Sequence, residues 1–369
     1  MTLFLQILGA IFLSMVLTIA IVYFYFRWKL RRAFSDMGDA IKELGQMMKG
    51  LETMPARIHV RRDEDPEPFD DADKESAVAQ PLLGAGFTDL GYYTIDEMPQ
   101  VKLRALMSVE QAVYAVVCEM DGMGVWLDLT CKYPDGYDLT YSTSQETGLE
   151  RPPNMPAVRF PGADAGTLLR KMLDGRRPGP FLPVSADEFP RRVEQGHAEE
   201  VEWRATQGGS SEEEIKRVAA KTGTEMDEGM LQIAARMEAN RNAMQLDQVL
   251  RARYLESKGI TDHENFEATG EPLVFIHDRR KTDELVALYL GALGVDDEDE
   301  DNSGRRESAY KQARNFAGNA PPREAFARLN ARLPQGRQFV KVGELTAPVA
   351  ADVYQAPWPI DGDDDDIDE

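Results

Sequence analysis

Cysteine, histidine and positive charge are what this sequence has little of. Two cysteines, Cys118 and Cys131, occur in 369 residues, which excludes a disulfide framework and a four-cysteine zinc site and agrees with a reducing compartment. Both are expected as small core residues. Lys and Arg number 42 against 64 Asp and Glu, a net charge of −22, and affinity for phosphate backbones comes from clustered Lys and Arg. No nucleic-acid partner is therefore expected. Neither phosphate-cradling glycine motif is present, Gly-x-x-x-x-Gly-Lys-Ser/Thr or Gly-x-Gly-x-x-Gly. Gly208-Gly209-Ser210-Ser211 lacks the spacing of a hydrolase elbow.

Histidine occurs four times. His59 reads as solvated, His197 as part of a charged helix face with Glu199, Glu200 and Glu202, and His263 as a polar turn residue. Glu194-x-x-His197 is half of a di-iron motif, but no second Glu-x-x-His accompanies it. His277-Asp278 has the composition of a base and its orienter, with no nucleophile attached to it. No catalytic residue, metal or cofactor is assigned.

One long hydrophobic run is present. Residues 3–26 carry no charge and match the ~20 residues a helix needs to cross a bilayer, so residues 1–28 are expected as a transmembrane anchor. Arg27, Lys29, Arg31 and Arg32 follow it, with Trp28 as an interfacial anchor. This collar is expected to contact lipid and to hold the C-terminal body in the cytoplasm, the N-terminus lying outside an inner or plasma membrane. Over residues 29–55, Leu30, Phe34, Met37, Ile41, Leu44, Met48 and Leu51 form an a/d stripe, which predicts an amphipathic or coiled-coil helix able to make a homo-oligomer.

Beyond it the reading is α+β. Residues 56–77 switch from basic to acidic with two prolines and are expected as a disordered charged tether. Residues 78–160 carry five short alternating runs, predicting a five-stranded antiparallel sheet. With a two- or four-residue loop after Met120, Tyr114, Val116 and Cys118 share a face with Leu127, Leu129 and Cys131, while Trp126, Asp128 and Thr130 face the other way, mostly toward solvent. Residues 161–295 are predicted as helices packing on that sheet, the longest spanning Glu225–Lys258 with Met226, Met230, Ile233, Met237 and Met244 on its core stripe. An acidic linker at 296–304, a C-terminal α/β portion at 305–350 and a disordered acidic tail at 351–369 complete the plan.

Two function classes fit. The first is a membrane-anchored scaffold, adaptor or assembly subunit acting through protein partners, with Tyr354 and Trp358 in the tail as an exposed partner-binding peptide. The second is a membrane-tethered small-molecule sensor or enzyme with a pocket between sheet and helices, for which Trp126, Tyr92, Tyr93 and Asp128 are candidate lining residues.

Overall fold

The computed structural model describes residues 54–120, 122–222, 226–260, 272–295 and 303–356. The expected transmembrane helix, its collar from Arg27 to Arg32, the stripe from Leu30 to Leu51, His263 and Trp358 lie outside these residues. Among the described residues no helix is long and apolar enough to cross a membrane. They divide into two compact units, one holding Ser211–Met237 and the other Met54–Ser210 together with the residues from Glu238 onward.

In the larger unit the alternating runs form a sheet of seven strands, in the order β1 (Val60–Asp63), β2 (Thr88–Ile95), β3 (Val101–Ser108), β4 (Val113–Met120), β5 (Gly124–Lys132), β6 (Asp138–Ser142) and β7 (Ala157–Arg159). The five expected strands are its centre, β2–β6. Neighbours pair antiparallel except β7, which runs parallel to β6, so the sheet is mixed.

The register differs from expectation, and both faces are buried. Met120 pairs with Gly124, leaving a three-residue loop with Gly122 at φ +77° and Gly124 at +68°. An odd loop reverses the parity: Cys118 opposes Trp126, Val116 opposes Asp128 and Tyr114 opposes Thr130. One face therefore collects Leu106, Val113, Ala115, Val117, Leu127, Leu129 and Cys131 under α1 (Ala72–Gly84) and α2 (Ala165–Gly175). The other collects Tyr93, Ile95, Leu103, Ala105, Tyr114 and Cys118 against Val184 and Phe189 at the start of α3 (Phe189–Gln207). Cys118 and Cys131 are both buried and free, on opposite faces, and burial pushes both thiols up.

The segment expected as a tether is folded onto this body. Its charges are neutralised locally, which removes the reason for expecting disorder. Arg57 donates to Glu202 at 2.8 Å and to Glu256 at 2.6 Å, and Arg253 closes the cluster on Glu202 at 2.7 Å. Gln245 Nε2 donates to the Met54 carbonyl at 2.8 Å, and the Val60 N–H donates to Glu194 Oε1 at 2.9 Å. His59, expected in solvent, pairs with Glu97 through its N–H at 2.8 Å and its Nδ1 at 2.5 Å. The acidic run then enters α1: Asp71 caps the Lys74 N–H at 3.0 Å, Asp73 and Glu75 sit in the first turn where the helix dipole favours them, and the Glu119 carboxylate accepts from the N–H groups of Asp70 and Asp71 at 2.7 and 3.1 Å.

The smaller unit holds α4 (Glu212–Thr222) and the beginning of α5 (Glu228–Ser257), packed through Ile215, Ala219, Leu231 and Ala234. Along α5, Ile233, Met237 and Met244 are exposed, so the expected core stripe holds for Leu246, Val249, Leu250 and Tyr254 but not for these three.

Within the larger unit the later part of α5 packs with Val201 and Ala205 of α3 on a second sheet, β8 (Leu273–His277), β10 (Ala351–Gln355) and β9 (Val340–Leu345), with β10 central. Helices α6 (Thr282–Leu293), α7 (Ser303–Ala317) and α8 (Pro322–Asn330) cover it. The start of the expected disordered tail is thus a middle strand. Tyr354 packs its ring on Phe326 at 4.8 Å, which removes it from any free peptide. Its apolar neighbours Ala351 and Val353 are buried, and that burial orders a segment whose sequence is otherwise acidic.

Candidate functional site

A cavity of about 320 Å³ lies on the α3 face of the large sheet. The reversed parity makes it. Three ladders of polar pairs, Asp128–Ser142, Thr130–Thr140 and Lys132–Asp138, stand on the face that continues the apolar surface of β3 and β4. One side of the cavity is therefore apolar (Ile58, Ile95, Met98, Val184, Phe189 and Val193), and the other is charged and hydroxylated (Asp128, Thr130, Lys132, Asp138, Thr140 and Arg151). Helix α3 covers both, presenting Val193, Gly196, His197 and Glu200. A second, polar recess of about 180 Å³ shares Asp128, Thr140 and Arg151 and is walled by Trp126, Ser142, Ser144 and Arg159.

The polar wall is internally organised. Asp128 accepts from Trp126 Nε1 at 3.1 Å. Its carboxyl is nevertheless pushed above the usual range by burial, a rise only partly offset by the hydrogen bonds of Ser142 and Trp126 and by the charges of Arg159 and Arg151. Asp138 is raised for the same reason, with Lys132 opposing and Glu199 reinforcing the rise. Its nearest cation, Lys132 Nζ, stands 4.0 Å away and lies nearer to Glu199 at 3.6 Å. Among the described residues Asp138 Oδ1 and Arg151 Nε have no hydrogen-bond partner. Arg151 pairs with Glu200 at 2.8 Å. Arg159 donates to the Ser144 hydroxyl and, at 3.0 Å, to the Gln145 carbonyl. The hydroxyls of Thr130 and Thr140 face each other at 3.4 Å.

His197, expected on a solvated face, lines the cavity instead. Its Nε2 donates to the Pro55 carbonyl at 2.7 Å, which fixes Nε2 as the protonated nitrogen, and burial lowers its basicity. Glu194 is taken up by the Val60 N–H, so the Glu194-x-x-His197 pair does not converge on a metal. No group of three His, Cys, Asp or Glu among the described residues is placed to hold one. His277 is buried at the end of β8, its Nδ1 accepting from the Arg279 N–H at 3.2 Å and its Nε2 3.8 Å from Asp247; Asp278 turns to solvent.

Of the candidate lining residues, Asp128 lines the cavity and Trp126 the adjoining recess. Tyr93 lies behind Phe189, ring centroids 4.8 Å apart, and Tyr92 is on the opposite face against Phe69. The polar ladders were missed because the loop after Met120 was taken as even. The signal was Gly124: two glycines spaced by one residue suit a three-residue hairpin with a left-handed closing position. No protein-family model, curated protein or solved structure matches this chain.

Proposed function

We propose that this protein is a membrane-tethered small-molecule sensor whose cytoplasmic α+β body holds its ligand between the large sheet and α3. The cavity carries the proposal. Its volume falls at the lower end of the range for ligand sites, and it combines an apolar wall with a few convergent polar groups. Binding is favoured over turnover because no nucleophile and base pair up among the described lining residues: His197 is committed to a carbonyl, and the two threonine hydroxyls face one another. The membrane part of the proposal rests on the sequence, namely the charge-free run at 3–26 and the basic collar after it.

The test is a thermal-shift screen of the full chain in lipid nanodiscs, run beside Val193→Trp, which fills the apolar end. The expected result is a compound class that raises the melting temperature of the parent and not of the variant, since a ligand binding only the native state stabilises it by mass action. If every stabilising compound acts equally on both, the cavity is not a binding site.

A second reading, that of a scaffold or assembly subunit, is favoured by Ile233, Met237 and Met244, three large apolar side chains exposed on one helix. With the stripe from Leu30 to Leu51 it makes self-association or partner docking the alternative function. Mass per particle of the full chain in mild detergent tests it. A monomer with nothing bound, unchanged on deleting residues 27–55, removes this reading.

A further inference from the structure

The charges around the cavity do not cancel. Four carboxylates meet there, Asp128, Asp138, Glu199 and Glu200, against three cations, Lys132, Arg151 and Arg159. Arg151 is taken by Glu200 at 2.8 Å, and Lys132 lies closer to Glu199 than to Asp138. Asp128 has the Trp126 N–H at 3.1 Å and shares its recess with Arg159. His197 adds no charge near neutral pH, because burial holds its imidazole below the ordinary range. Arg192 has its own partner in Glu188 at 3.2 Å. One negative charge is left over, and it sits on Asp138, the carboxylate with an oxygen that no hydrogen bond satisfies among the described residues.

A buried charge without a counter-ion costs stability, and such a cost persists where a ligand supplies the missing partner. The last torsion of an aspartate is soft, so a small turn brings either oxygen of Asp138 to the cavity. Across from it the wall is apolar: Met98, Val184, Phe189 and Val193.

We propose that the cavity takes a small organic ammonium, its protonated amine held by the Asp138 carboxylate and its apolar substituent against Met98, Val184, Phe189 and Val193. The assignment rests on the binding reading given above and narrows it to one charge class. An anionic amphipath of the same shape is disfavoured because it adds a second uncompensated negative charge. A neutral one leaves the first in place.

Three probes of matched shape separate the two levels of the claim: 2-phenylethylammonium, 2-phenylethanol and 3-phenylpropanoate. Each is titrated into the full chain in phosphatidylcholine nanodiscs, with protein-free nanodiscs measuring partition into lipid. The expected order is ammonium tightest, alcohol at least tenfold weaker and carboxylate weakest. Asp138→Asn is expected to remove the preference for the ammonium while leaving the alcohol's affinity within about threefold. The alcohol thereby reports that the variant's cavity is intact. Should the alcohol or the carboxylate bind as tightly as the ammonium, with all binding lost in Val193→Trp, the cavity binds small molecules but the charge assignment is wrong. If Asp138→Asn keeps the full preference, Asp138 is not the counter-ion and the proposal falls. If no probe binds the parent protein, both the assignment and the sensor reading are overturned.

Discussion

The Nε2 of His197 donates to the carbonyl oxygen of Pro55 at 2.7 Å, tying the helix that roofs the cavity to the segment by which the chain enters the body. The bond needs only the neutral imidazole. Protonation adds a charge in a place where burial disfavours it, so the native state resists taking up a proton that the unfolded chain accepts near pH 6.5.

Stability is therefore expected to fall as the pH drops below about 6.5, through the interval between the unfolded and the lowered native pKa of His197. Urea denaturation at half-unit steps from pH 7.5 to 5 measures this. His197→Gln keeps a donor for Pro55 and has no titration, so its stability curve should be flatter over the same range. Parallel curves for the two proteins would mean that His197 does not contribute the acid sensitivity.

Asp138 has the opposite sign. Its carboxyl is raised by burial, so the native state keeps a proton that the unfolded chain has released, and stability declines as pH rises from the ordinary carboxylate range through the raised value. At neutral pH the residue is a liability. Asp138→Asn should stabilise the ligand-free protein at pH 7 by on the order of 1 kcal/mol, a rise of roughly 2–4 °C, with little gain at pH 4. A lower melting temperature at pH 7 would show that the Lys132–Asp138 pair outweighs the burial cost.

The hairpin after Met120 gives a prediction about parity. Met123 is 47% exposed, and replacing it with serine should change stability by no more than about 0.5 kcal/mol. Deleting it makes the loop even and turns Asp128 and Thr130 toward the α1 and α2 core while Leu127 and Leu129 turn toward α3. The deletion should abolish cooperative unfolding measured by near-ultraviolet circular dichroism. A cooperative melt within a few degrees of the parent would show that the strand absorbs the change with a bulge.

Arg57 holds the entering segment through Glu202 and Glu256, and all three side chains are largely buried. Arg57→Ala leaves Glu202 with Arg253 alone and should cost roughly 1–3 kcal/mol. Limited proteolysis should then cut between residues 54 and 63 at protease concentrations that leave the parent intact. An unchanged digestion pattern would place the anchoring elsewhere, in β1 or in the Gln245 contact with Met54.

Much of the architecture was legible from local pattern. The strand Leu273–His277, the helix Thr282–Leu293 and the long helix ending near Gly259 follow from alternation, helical period and glycine, which act within a few residues of chain. What was not legible depends on distant partners. The acidic stretch around Asp71 and Glu75 looks unable to fold until Glu119 and Arg104 are placed beside it. The tail residues Val353 and Tyr354 look like the edge of a disordered acidic end until β8 and β9 flank them. The candidate site fell between these cases. Asp128 was singled out, but as a member of a half-solvated face, because one residue of loop length decides whether Lys132, Asp138 and Thr140 see water or the underside of α3.

The docking of residues 54–63 also has a mechanical meaning. A pull or a twist applied upstream of Met54 meets no slack coil in which to dissipate. It arrives at Gln245, at His197 and at the Arg57 cluster, and so loads the roof of the cavity directly. Tension on the N-terminal side and occupancy of the cavity would then act on the same few bonds, and the body would behave less like a weight on a string than like a lever clamped near its pivot.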